Sequence, residues 1–347
     1  MAYWRVQVSP WFMKILGICG TYNAVNWYRI VSPIGNAGGD LSFKYADTEL
    51  GIIQVGDVAK NVKELGDKYF SAYDLVVVKY IATKEDAQSF LHWKSQAPDT
   101  KVYFDIDDNV FEIPKGNSAE QYWGEDEQGI FAYMIQQMDG LFVSTEALKD
   151  YLLPLNSNIT VMPNRIDTNM WKKKRKSGSK VRIGWSYSPT HFNDKNILEG
   201  VFGRLKDKYG DSIEFEATIL EEEGLKTIEA VPNKDFPKLL CDRRWDIAIG
   251  PLEDIPFNHG KSCNKWLESS MAGSVFVGSA VEPYNKAIEH GKTGFLCKDD
   301  EWFDTLCMLI EDKKLRQKVQ KAAEKVVRRD YDINTSNPYK DLELGAL

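Results

Sequence analysis

The stretch GKSCNKWLE (260–268) sets two lysines, Lys261 and Lys265, four positions apart, with Glu268 three further on. That spacing fits one side of a helix, and the run ends at Gly273, the residue type that most readily terminates one. Two cations at the start of a helix are unfavourable by themselves. That end is already the positive end of the dipole, and like charges at i,i+4 repel. An anion reverses the balance. Free helical N–H groups and two ammonium groups carry more positive charge than one carboxylate would use, and a diphosphate fits. Glu268, one turn deeper, is then placed to accept hydrogen bonds from the vicinal hydroxyls of a ribose. Together the three describe a nucleoside diphosphate lying along a helix, with Lys261 and Lys265 as candidates for stabilising charge on a leaving phosphate. A solvated charge stripe on an exposed helix would show the same spacing. A Walker A loop does not fit, because its first glycine would stand where Ile255 does.

The elements that must position these residues alternate. KILGICG (14–20), LGIIQVG (50–56), YDLVVVKY (73–80), KVYFDIDD (101–108), GLFVST (140–145) and ITVMPN (159–164) read as buried strands, with helical periodicity between them, as in 84–96 and 145–153. WKKKRKSGSK (171–180) has no periodicity and reads as a linker. A second alternating set follows: 181–186, 213–219, 245–252, 274–279 and 294–298, closed by a long helical stretch over 300–331. Strand–helix alternation means parallel sheets covered on both faces, hence an α/β fold of two doubly wound domains, 1–170 and 181–325. Ligands of such sheets bind at the carboxyl ends of the strands, here in the cleft between the domains. The expected helix over 261–273 would begin at such an end, after the strand 245–252, with Lys261, Lys265 and Glu268 on one side and Cys263, Trp266, Leu267 and Met271 toward the core.

Bulk properties narrow the field. A chain of 347 residues exceeds one comfortable core, and 43% hydrophobic with 12% aromatic content is that of a packed protein. A formal charge of −7 argues against a surface built throughout to grip nucleic acid. Cys19, Cys241, Cys263, Cys297 and Cys307 form no metal-ligand spacing and read as free thiols of a reducing compartment. There is no apolar run of membrane-spanning length, and MAYWRVQVSPWF lacks the features of a signal peptide, so the expectation is a cytoplasmic protein. Met13 would serve as a start, making residues 1–12 an extension.

Other candidates sit at strand ends. Gly17 and Gly20 would let backbone approach a ligand or serve a tight turn. Tyr28 and Arg29 would contact an acceptor or the donor phosphate, or else pack and face solvent. Asp105, Asp107 and Asp108 in FDIDDN end a strand, so at least one should face the cleft. In isolation their D-x-D spacing suggests a Mn²⁺ site, although capping carboxylates would look the same. Tyr284 opens a helix toward the same cleft, to stack on a ligand or to fill the core. His191 and His259 are isolated histidines, a pattern more often structural than catalytic.

The run 246–306, DIAIGPLEDIPFNHGKSCNKWLESSMAGSVFVGSAVEPYNKAIEHGKTGFLCKDDEWFDTL, resembles the donor-binding half of the family 4 type glycosyltransferases (glycosyl transferases group 1), whose fold is GT-B, two Rossmann-like domains facing a cleft. The resemblance implies a retaining, metal-independent enzyme that needs no cofactor and takes a nucleotide-diphosphate sugar as donor. The second domain would hold the donor and the first the acceptor, and the segment 326–347 would pack back on the first domain. Ser186 and Lys195 fall near the family's phosphate-binding polar residue and lysine. Asp107 falls near the reacting centre. Many members carry a glutamate eight positions before the one matching Glu268; here that position is Gly260. Asn258, His259 or Lys261 would supply its sugar contact, in an FNxxKSxxKxxE pattern with the amides near Ser262 on the diphosphate. The acceptor would be a glycan, a lipid-linked glycan or a nucleobase, the last needing a basic face such as Lys172–Lys176. Those residues, with Trp4, Trp11 and Phe12, would equally suit peripheral contact with a membrane surface. A metal-dependent D-x-D transferase, a DNA-base-modifying transferase and a non-catalytic sugar-nucleotide binder are the competing readings.

Overall fold

The computed structural model describes residues 13–19, 24–43, 69–174, 178–191, 193–220 and 224–342, and in them the apolar runs form two wholly parallel six-stranded sheets. The first comprises β1 (Ile15–Cys19), β2 (Asp40–Phe43), β3 (Leu75–Val78), β4 (Lys101–Ile106), β5 (Gly140–Val143) and β6 (Ile159–Val161), in the order β2-β1-β3-β4-β5-β6. The second comprises β7 (Val181–Trp185), β8 (Ile213–Thr218), β9 (Lys226–Ile228), β10 (Ile247–Gly250), β11 (Val275–Ser279) and β12 (Phe295–Cys297), in the order β12-β11-β10-β7-β8-β9. Central strands such as LVVV and IAIG are buried along their whole length, as helix-covered parallel strands must be. The expected strand at 50–56 lies outside the described residues. Two strands escape the sequence reading: β2 and β9 are short edges in which polar residues break the apolar run.

The winding reverses between β1 and β3 in the first sheet and between β7 and β10 in the second. A crevice opens at the carboxyl end of each reversal, because the flanking connections leave in opposite directions. The loops after β1, β3, β4, β7 and β10 carry most of the candidate residues.

Local chemistry sets the helix ends. Thr83 accepts from Asp86 N at 3.3 Å and starts the helix Lys84–Ser95, and Thr145 accepts from Leu148 N at 3.3 Å and starts Glu146–Leu152. The long stretch 300–331 is two helices, Trp302–Glu311 and Lys313–Asp330, because the Asp312 side chain takes the Leu315 N–H at 2.8 Å and restarts the winding. The helix expected over 261–273 is shorter, Asn264–Ala272, and ends in a left-handed Gly273 (φ 95°). Lys261 therefore stands in the connection before it.

Between the sheets, Trp171 is buried among Leu240, Trp245 and Met271, and Lys173 and Lys174 pair with Glu324 and Asp242. After Asp330 the chain returns to the first domain. Ile166 N donates to Tyr331 O at 2.9 Å and Ile333 N to Ile166 O at 3.0 Å, Thr168 Oγ1 reaches Asp332 Oδ2 at 2.5 Å, and Asn337 Nδ2 donates to Pro33 O at 2.9 Å. Tyr339 is buried edge-on to Phe142. All five cysteines are free, as their spacing implied.

Gly184, in the middle of β7, lies under the Trp245 indole. A Cβ there would fall 1.8 Å from the ring, so indole or strand must shift. Gly184→Ala is expected to lose roughly 1–3 kcal/mol or more in denaturant unfolding, as overpacked core sites do.

Candidate functional site

Lys261, Lys265 and Glu268 face the crevice between the domains. Lys261 is 9% exposed; its Nζ lies 3.3 Å from Asp108 Oδ1 of the first domain and 4.4 Å from the Phe257 ring centre. Lys265 is half-buried, and its Nζ lies 2.8 Å from His191 Nε2, across the reversal between β7 and β10. Burial and then the charge of Lys261 push the Lys265 ammonium down to about 8, against the pull of Glu268, Asp194 and Asp108. Burial pushes Glu268 up to about 7, opposed by a hydrogen bond from Tyr28 and the charge of Lys265. That bond, Tyr28 Oη to Glu268 Oε1 at 2.6 Å, joins the two domains.

His191 and Asp194 were not expected here. His191 Nδ1 lies 2.6 Å from Asp194 Oδ2, while Asp194 Oδ1 accepts from Glu253 N at 2.8 Å and Asn258 Nδ2 at 3.3 Å. Burial, followed by the charge of Lys265, lowers His191 to about 3, so the imidazole is neutral. The only sequence signal was two polar residues three apart in a short loop after a strand. Asn258 itself is 3% exposed and ties the loops after β7 and β10 together through Asp194 and Glu253 O.

The first domain contributes a charge-balanced network. Arg29, 3% exposed, makes a bidentate pair with Asp105 (2.8 and 2.7 Å) and donates to Met162 O and to Asn164 Oδ1 at 2.8 Å. Lys79, which the sequence reading passed over although it follows a buried strand directly, pairs with Asp105 at 3.3 Å and with Asp107. Burial works against the charge on Asp107, but Lys79, Arg29 and Tyr80 together hold the carboxyl below its usual range. Tyr80, held at a left-handed φ of 47°, donates to Asp107 Oδ1 at 2.9 Å. The ligand contact expected of Arg29 gives way to a structural role, with the guanidinium turned inward onto Asp105. Asp108, at the mouth, points to Lys261; burial raises its pKa and Lys261 opposes this.

The remaining candidates divide. Gly17 serves packing rather than ligand approach, since a Cβ would fall 2.8 Å from both Ile30 and Ile34. Gly20 lies outside the described residues. Tyr284 is 3% exposed, edge-on to Phe276, and fills the core instead of facing the cleft. Ser186 and Lys195 are half-buried in the loop after β7. His259 bonds Asp254 at 2.5 Å and, with Ser262, lines an interdomain cavity of about 410 Å³ shared with Ser144, Thr145 and Asn164. The Ser262 hydroxyl is buried with no hydrogen-bond partner among the described residues. Gly260 packs on the first domain: a Cβ would meet Leu148 at 3.1 Å, and its carbonyl accepts from Thr145 Oγ1 at 3.1 Å. No group of three metal-ligating side chains occurs among the described residues, and no helix among them is long and apolar enough to cross a membrane.

No family model matches the sequence, and no curated protein does. Solved structures match along nearly the whole chain. HepE of Anabaena, in complex with UDP-glucose, superposes with a TM-score of 0.71 at 14% identity, covering 97% of this chain and 100% of its own. Sucrose-phosphate synthase of Thermosynechococcus elongatus gives 0.66 at 10% identity, covering 93% and 96%. The fold is therefore GT-B, with two Rossmann-like domains. A putative UDP-N-acetylglucosamine 2-epimerase from Listeria monocytogenes also matches, at 0.53 and 14% identity over 92% and 94%. Fold alone thus does not choose the reaction, and the site must.

Glu268 keeps its proton to about pH 7, whereas a free glutamate loses it near 4.5. Between those values the folded state binds more protons, so this group's contribution to stability falls as pH rises. Glu268→Gln is expected to flatten that decline, measured by denaturant unfolding from pH 5 to 8.

Proposed function

We propose that the protein transfers a sugar from a nucleoside-diphosphate donor to an acceptor hydroxyl, with retention and without a metal ion. One observation carries this: two lysines stand side by side, withdrawn from solvent at the carboxyl-end crevice of the second sheet, and the nearest partner of Lys265 is a neutral imidazole. A structural ion pair would put a carboxylate there. A diphosphate supplies the missing charge, and Ser262 offers an unused hydroxyl in the same loop. The UDP-glucose complex of HepE favours a uridine donor.

As the bond from sugar to phosphate breaks, negative charge grows on the diphosphate. Lys261 and Lys265, preoriented in a low-dielectric crevice, lower the energy of that state more than of the ground state. With retention, the acceptor enters on the face the nucleotide leaves, and the leaving phosphate can take the acceptor's proton, so no strong protein base is required. Asp107, ion-paired with Lys79, would act by its charge near the developing sugar cation. Tyr28 would release Glu268 to the ribose. The acceptor would lie in the cavity beside Ser144, Thr145 and Asn164, whose hydroxyl and amide groups suit a glycan. A D-x-D metal site is disfavoured because Arg29 and Lys79 already occupy the carboxylates of Asp105 and Asp107.

Incubation with a panel of sugar nucleotides, with and without EDTA, tests the reading. Donor turnover unaffected by EDTA is expected, with a product anomer matching the donor by proton NMR. Lys261→Ala or Lys265→Ala should each lower kcat on the order of 100-fold or more, as removal of one charge-stabilising donor does. Loss of turnover in EDTA, or wild-type kcat in both variants, would refute it.

A further inference from the structure

We infer that His191 is a positioning residue that holds the Lys265 ammonium toward the diphosphate, and that Asp194 makes it able to do so by fixing its tautomer. This rests on the reading of Lys265 as a diphosphate ligand.

A lysine on a four-carbon stem, beside another cation, has every reason to swing away. Lys265 does not, because a hydrogen-bond acceptor meets it at 2.8 Å. An imidazole can be that acceptor only at an unprotonated nitrogen, so Nε2 must carry the lone pair and Nδ1 the hydrogen. Asp194 Oδ2, 2.6 Å from Nδ1, accepts that hydrogen and selects this form. Asp194 is itself fixed, since its other oxygen takes the Glu253 N–H and the Asn258 amide. The chain of bonds therefore runs from the loop after β10, through Asp194 and His191 on the loop after β7, to the helix Asn264–Ala272. A neutral acceptor orients the lysine without cancelling its charge, which a carboxylate in the same place would do. The other charged groups facing this cluster are Lys261, Glu268 and Glu253 from the second domain and Asp108 from the first. By sequence alone His191 looks like a structural histidine; its position across the strand-order reversal gives it a role in the crevice.

His191→Gln keeps an acceptor near the place of Nε2, and His191→Phe removes it. Asp194→Asn keeps the carbonyl for Glu253 N and presents an N–H to Nδ1, which drives the hydrogen to Nε2 and turns it against the ammonium. UDP binding by calorimetry from pH 6 to 9, alongside ¹⁵N NMR of the histidine side chains, reads both effects. UDP should bind about 10-fold or more weakly to His191→Phe and Asp194→Asn, as loss of a hydrogen bond to a charged group implies, with the loss of binding at alkaline pH moved to lower pH. His191→Gln should retain most of the wild-type affinity and its pH profile. In the wild-type protein the imidazole should carry its hydrogen on Nδ1, and in Asp194→Asn on Nε2. Unchanged or tighter UDP binding by His191→Phe, with Lys265→Ala weakened, overturns the positioning role and leaves the diphosphate site standing. Full affinity in Lys265→Ala overturns the site itself, and an Nε2-protonated His191 in the wild-type protein overturns the tautomer assignment even if a variant fails to fold.

Discussion

The structure turns on holding two ammonium groups together away from water. Each desolvation costs free energy, and their mutual repulsion adds to it, so such a pair persists only where the surrounding groups offset both. Around Lys261 and Lys265 the compensation is incomplete and indirect. Asp108 reaches Lys261 only from the other domain, at 3.3 Å. Asp194 spends its oxygens on His191 and on the loop after β10. Glu268, the carboxyl on the same helix, is pushed toward its neutral form by burial. What remains is a pair of lysines whose balancing carboxylates lie across the cleft or beyond an imidazole, at the reversal of the second sheet.

The first domain shows the contrasting case. Arg29 and Lys79 face Asp105 and Asp107, two cations against two carboxylates, all deeply buried and hydrogen-bonded to each other. That network is balanced within itself, and breaking any one member would strand a buried charge. The two clusters thus differ in how directly their charges are paired, which residue types alone do not reveal. An arginine at a cleft and a D-x-D triplet both look functional in the sequence, yet their partners turn most of them to structure. Asp108, the member left outside the balance, is the one that points across the cleft.

This also marks where the sequence was legible. Central strands declared themselves because burial on both faces demands unbroken apolar runs. The edges β2 and β9 did not, since DLSF and KTI carry polar residues that only a neighbour's hydrogen bonds make strand-like. Lys261, Lys265 and Glu268 stand out in the sequence because like charges near a helix start conflict with local preference, and the structure brings the three to the crevice between the domains. Lys79 was missed because a lysine after LVVV reads as an ordinary strand end, and nothing local names Asp105 and Asp107 as its partners. His191 reads as structural in the sequence because its partner, Lys265, lies on a helix 74 positions later. Gly17 and Tyr284 stay ambiguous in the sequence because small and aromatic residues serve both a cleft and a core, and only packing decides between them.

The Gly at 260 connects these points. A side chain there would press on Leu148 of the first domain, which its Cβ would meet at 3.1 Å. Around it the domains meet through Tyr28–Glu268, Lys261–Asp108, Thr145–Gly260, Asn164–Asn264 and Asn117–Thr190. Each such hydrogen bond is worth only about 0.5–1.5 kcal/mol net, because water replaces it readily. The two chain crossings differ in kind: they are bonded to each other at Ile166 and Asp332 and backed by the buried Trp171 and Tyr339. The polar contacts across the cleft surround the lysines, and the lysines and Glu268 are the groups a diphosphate and its ribose would engage in their place.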